Sequence, residues 1–103
     1  MAYLTDQMSY AKINSGRKTV TTAGTRVQLT TSPTPCKHIE VKALPTNTRI
    51  VVVGGSDVVA AAGSEVGIPL YPGDSYKFMI NDISKIYIDS IVNGEGVTYI
   101  YYD

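Results

Sequence analysis

The chain reads as one all-β domain, an antiparallel β-sandwich of jelly-roll-like form with about eight short strands and an N-terminal arm. Three observations predict it. Its 103 residues suit a single domain and leave no room for a second core. Beyond residue 16 the sequence is rich in β-branched residues, interrupted at short intervals by Gly, Pro and Asn. Between these runs there is no helical apolar period, so a parallel sheet with crossover helices is disfavoured.

The elements follow in order. Residues 1–16, MAYLTDQMSYAKINSG, are polar, lack a sustained period and end in a turn-like Asn-Ser-Gly, so they read as an arm; 17–103 form the sandwich. Arg17 to Thr22 and Arg26 to Thr31 flank Ala23-Gly24-Thr25, where glycine supplies positive φ, and predict a first hairpin with Val20, Val27 and Leu29 inward. The prolines of Ser32-Pro-Thr-Pro35 lack ladder N–H groups and mark a connection or sheet edge. Cys36 to Leu44 alternates, with Ile39, Val41 and Ala43 on one face and His38, Glu40 and Lys42 on the other, as a half-buried strand does. After the turn Pro45-Thr46-Asn47, Ile50 to Val53 is apolar on both faces and is expected at the centre of a sheet.

Gly54-Gly55-Ser56 turns the chain into Asp57 to Ala62, whose small side chains suggest an edge strand or loop. Val66 to Leu70 reads as a short strand. Pro72-Gly73 then turns into Ser75 to Ile80, with Tyr76, Phe78 and Ile80 on one face. Asn81-Asp82 leads to Lys85 to Val92, and Asn93-Gly94-Glu95-Gly96 joins that run to Val97 to Tyr102 in an expected terminal hairpin.

Composition narrows the function. Nine basic residues balance nine acidic ones, so no long-range field steers the chain to nucleic acid or to a membrane surface, and neither is expected as a partner. The one cysteine, Cys36, excludes an internal disulfide and a zinc cluster and suits a reducing cytoplasm. The first 25 residues hold no apolar run of signal-peptide length, and no stretch is long enough to span a bilayer, so a soluble, unexported chain is expected.

Catalytic chemistry has little to stand on. His38 is the sole histidine and falls on the polar face of its strand, which fits an exposed structural residue better than a base. Cys36 lies two positions away and would share that face, so a Cys-His dyad rests on proximity alone. Gly54-Gly55-Ser56 lacks the spacing and the Lys-Ser/Thr ending of a phosphate loop. The carboxylates Asp74, Asp82, Asp89, Glu95 and Asp103 stand singly near expected turns, without calcium-loop spacing, and turn chemistry and solubility account for them. No catalytic, cofactor or metal residues are therefore expected.

The eight tyrosines are more suggestive. Tyr87, Tyr99, Tyr101 and Tyr102 cluster on the last two expected strands, where a cross-strand aromatic ladder could form. Alternation puts Tyr102 on the face opposite Tyr99 and Tyr101, so at least one ring edge meets solvent. An exposed tyrosine stacks at low entropy cost and keeps its hydroxyl bonded, which suits a protein interface or a sugar platform. Tyr3 and Tyr10 of the arm together with Tyr101 and Tyr102 are the candidate interface residues, and the arm could lie across a neighbouring subunit.

Between Val20 and Tyr102 the sequence resembles small virion proteins of tailed bacteriophages. The resemblance runs through Val20-Thr-Thr-Ala-Gly-Thr-Arg-Val-Gln-Leu29, Cys36-Lys-His-Ile-Glu-Val-Lys-Ala43 and Thr48-Arg-Ile-Val-Val-Val-Gly54. It continues in Ile68-Pro-Leu-Tyr-Pro-Gly-Asp-Ser75 and Ile86-Tyr-Ile-Asp-Ser-Ile-Val-Asn-Gly-Glu-Gly-Val-Thr-Tyr99. Leu70-Tyr-Pro-Gly-Asp74 is also similar to a turn of other sandwiches, cupins among them, but a cupin enzyme needs metal-binding histidines that this chain lacks. The resemblance implies a jelly-roll-like structural subunit of the virion, assembled in the host cytoplasm. Its place would be that of a capsid decoration or cement protein contacting the major capsid protein or other virion proteins as a homo-oligomer. The alternative it implies is a carbohydrate- or receptor-binding module of a head or tail fibre. It carries over no catalytic residue and no cofactor.

Overall fold

The computed structural model describes residues 12–102. Among them eight strands form: β1 (Ile13–Thr19), β2 (Val27–Gln28), β3 (His38–Ala43), β4 (Val51–Gly54), β5 (Ile68–Leu70), β6 (Ser75–Phe78), β7 (Tyr87–Ser90) and β8 (Gly96–Tyr102). A single 3-10 turn, Ile83–Lys85, precedes β7. The strands make two antiparallel four-stranded sheets, sheet A in the order β1-β8-β3-β6 and sheet B in the order β2-β7-β4-β5. This double Greek-key arrangement is a jelly roll, as expected.

The sandwich has its core between the sheets. Ile39, Val41 and Ala43 of β3 and Val97 and Tyr99 of β8 meet Val51 and Val53 of β4, Leu70 of β5 and Ile88 of β7, all buried. Each aliphatic side chain so buried stabilises the fold by about 1.5–3 kcal/mol relative to exposure. Val20, Leu29, Cys36, Ile83 and Ile86 close the ends from the connections. Alternation along β3 puts Ile39, Val41 and Ala43 inward, as the sequence indicates.

The strand pairings depart from the sequence reading at both ends of the chain. No hairpin joins residues 17–22 to 26–31: β1 pairs with β8, from Ile13 opposite Tyr102 to Thr19 opposite Gly96, while β2 pairs with β7. The closing hairpin is also absent, because β7 lies in sheet B and β8 in sheet A. Gly24 and Gly94 do take positive φ, but turn chemistry sets the local reversal and not the sheet that the next strand joins. In a jelly roll most successive strands alternate between sheets, and here β4 and β5 alone among the described strands are both consecutive and paired. β1 also takes in residues 13–16, which the sequence assigned to the arm; residues 1–11 lie outside the described residues.

β4 sits between β7 and β5, and Val51, Val52 and Val53 are all fully buried. Val51 and Val53 face the main core, while Val52 faces outward beneath residues 55–67, which roof the outer side of sheet B. Val52, Val58 and Ala60 form a second small core there, with Ile50, Tyr87 and Ile91 packed around it. Residues 57–62 are therefore a covering loop, tied back through paired bonds between Val59 and Val66 at 3.0 and 2.9 Å. Gly67 closes the roof at φ +115, where a Cβ would stand 2.7 Å from Val52 Cγ1 and 3.0 Å from the Val53 carbonyl oxygen. No side chain fits that approach without displacement.

Candidate functional site

The tyrosines predicted to gather on the last two strands are parted by the fold. Tyr87 belongs to sheet B and packs under the roof, whereas Tyr99, Tyr101 and Tyr102 lie on β8 in sheet A. The cross-strand ladder therefore does not form. Tyr99 is buried, with its ring over Gly16 of β1, where a Cβ would stand 2.7 Å from ring atom Cε2. Glycine across from an aromatic ring on a neighbouring strand leaves the room that the ring fills. Burial, and then the neighbouring Tyr101, push the Tyr99 phenol up, and the two rings stack with centroids 6.2 Å apart. Tyr101 is half-buried against the main core, in the row Asn14, Tyr101, Ile39 and Phe78.

Tyr102 occupies the opposite face of β8, in one row with Ile13 and His38. Its ring meets the His38 ring edge-on at 4.7 Å. That contact gives His38 a packing role on the outer side of sheet A. Tyr3 and Tyr10 lie outside the described residues.

Cys36 and His38 do not form a pair on one face. Cys36 precedes β3, so strand parity does not apply to it; its side chain enters the core and its thiol donates to the Ile80 carbonyl at 3.1 Å. Burial, followed by the charge of Asp82, pushes the thiol up, which opposes thiolate formation. No group of three His, Cys, Asp or Glu residues among the described residues could hold a metal ion, and no helix among them is long and apolar enough to cross a membrane.

The carboxylates do more than the sequence indicates. Asp89 is in strand β7 and almost wholly buried. Its Oδ1 accepts from the Gly24 and Ser90 amides at 3.1 and 2.9 Å, and its Oδ2 accepts from the Ala60 amide at 3.0 Å. One side chain thus holds two loops against sheet B, assisted by Arg26, whose Nη1 donates to the Val58 carbonyl at 3.2 Å. Asp82 accepts from the Thr34 amide and from the amide and hydroxyl of Ser84, and these bonds hold its carboxyl below the usual range. Burial alone would raise Glu95, but bonds from the Thr48 amide and hydroxyl and from the Arg49 amide outweigh it and leave the carboxyl lowered. Asp74 stays local, its Oδ2 accepting from the Tyr71 amide at 3.2 Å. Asp103 lies outside the described residues.

The most apolar exposed surface lies elsewhere, along one edge of the sandwich. β5 and β6 are the outermost strands of their sheets on the same side, joined by residues 71–74. Val66 is 45% exposed, Ile68 37%, Tyr71 65%, Tyr76 44% and Met79 80%, and Ile13 is the only other large apolar side chain so exposed among the described residues. Register puts Tyr76 opposite Val41 and Phe78 opposite Ile39, on the inner face, but β5 across from them is three residues long and leaves the edge open. The Tyr76 and Phe78 rings meet edge-on at 4.9 Å.

Beyond β6, Cys36, Lys37, Met79, Ile80 and Asn81 line an open cleft of about 550 Å³. A smaller, more enclosed hollow of about 190 Å³ lies at Glu40, Lys42, Thr98, Tyr99 and Ile100. The sequence placed the interface on Tyr3, Tyr10, Tyr101 and Tyr102 and did not single out Tyr71, Tyr76 or Met79. The signal that marks this edge is Pro69, since a proline within a strand belongs to the rim of a sheet. Compared with known proteins, the chain matches no family model, no curated protein and no solved structure.

Proposed function

We propose that the chain is a non-enzymatic structural subunit of a bacteriophage virion. In this reading it decorates or cements the capsid through contacts with the major capsid protein or other virion proteins. The observation that carries a contact role is the apolar edge at β5 and β6, since among the described residues the other large apolar side chains, Ile13 apart, are covered or half-covered. Contiguous exposed apolar surface on a small domain marks a place for another molecule. The virion is suggested by the sequence resemblance. The jelly roll agrees with it by analogy, because viral capsid domains, lectins and cupins all use that architecture.

Mass spectrometry and cryo-electron microscopy of purified particles test the reading. Copies of the chain at regular positions on the particle are expected, and particles without it would overturn the proposal. Binding to a glycan array, lost in Tyr71→Ala or Tyr102→Ala, would instead favour the receptor-binding alternative.

A further inference from the structure

We propose that the open β5–β6 edge is a self-association surface whose occupant is the same edge of a second copy of this chain. The inference rests on reading that edge as a protein-contact surface. At ~200 Å² for a large side chain, the exposed parts of Val66, Ile68, Tyr71, Tyr76 and Met79 amount to roughly 500 Å². Two such strips together bury about 1,000 Å², the threshold of a specific protein interface. Tyrosine and methionine are also residue types that the centres of interfaces favour.

The edge chemistry selects the mode of contact. Pro69 removes an N–H from β5, and Lys77 stands on β6; both devices prevent sheets from joining through their backbones. Contact therefore runs through side chains, with the rings of Tyr71 and Tyr76 and the Met79 thioether packing against the same edge of the other copy. A two-fold axis parallel to the strands sets β5 of each copy against β6 of the other. With no net charge, the chain has no overall repulsion to overcome on pairing.

Sedimentation equilibrium of the full chain over a wide concentration series tests the proposal. The weight-average mass is expected to climb toward twice the monomer value. Met79→Glu and Tyr71→Glu, both at exposed positions, are each expected to hold it at the monomer value with an unchanged circular dichroism spectrum, whereas Ser15→Glu, at an exposed position of β1 on the opposite edge of sheet A, leaves pairing intact. A wild-type chain that stays monomeric throughout, or a dimer that survives both edge substitutions, overturns it. This failure is separable from that of the virion reading. Monomers found on particles refute self-association alone, and a dimer absent from particles refutes the virion role alone.

Discussion

The outer faces of the two sheets are built on opposite plans. On sheet A the outward residues of β3 and β6, His38, Glu40, Lys42, Ser75 and Lys77, are polar, and among the described residues no loop covers them. On sheet B the outward Val52 of β4 and Asp89 of β7 are buried, because residues 55–67 fold over them. An apolar residue facing out needs a cover, and the cover needs anchors for its own backbone. Asp89 supplies them to both Gly24 and Ala60. Sheet B is thus the middle of three layers, and sheet A is one wall of two.

Opposite substitutions on the two faces test that contrast most strongly. Val52→Asp buries an unpaired carboxylate between β4 and the roof and is expected to destabilise by on the order of 4 kcal/mol or to prevent folding. Lys42→Asp, at an exposed position of sheet A, is expected to change stability by no more than about 0.5 kcal/mol. Urea titration of the two variants decides it, and similar midpoints would mean that the roof does not seal Val52.

Asp89→Asn keeps the shape but replaces one of the two acceptor oxygens with an amide N–H₂, which faces a backbone N–H and leaves it without an acceptor. A loss of about 2–3 kcal/mol is expected. Hydrogen exchange should quicken at the Gly24 and Ala60 amides while the β3–β8 ladder keeps its protection. Uniform acceleration across both sheets would show that the roof is not a separable layer.

The smallest effect is that of acid. The fold lowers the pKa of Asp82 and of Glu95, so the stability they contribute is complete above their unfolded values near pH 4 and is lost as pH falls through the folded ones. The melting temperature should stay level from about pH 7 to 5 and decline below about pH 4. The Thr34, Thr48 and Arg49 amides should lose exchange protection before sheet A does. The raised pKa values of Cys36 and Tyr99 act at the other end, where stability present at neutral pH is lost as pH rises above about 9 for the thiol and about 10 for the phenol.

Much of this architecture is legible in the residues. His38 to Ala43 alternates because one side of β3 faces water, and Ile50 to Val53 does not because both sides of β4 are covered. The turns at Gly24, Pro45, Gly73 and Gly94 are legible for the same local reason. Pairing is not: nothing within residues 17–31 distinguishes a hairpin from two strands bound for different sheets. The candidate surface was missed for a related reason. Tyr76 and Phe78 carry the inward parity of core residues, and only the shortness of β5 opposite them leaves their edge open.

By itself the sequence determined the all-β class, the positions of most strands, the inward residues of β3 and the burial of β4, because side-chain period and turn chemistry act over a few residues. The tertiary structure alone decided that β1 and β8 meet, that Cys36 and His38 part, that Asp89 anchors two loops and that the exposed apolar surface gathers at β5 and β6. Each of these depends on which distant segments share a surface, and that choice is made by the burial of the whole core rather than by any single stretch of chain.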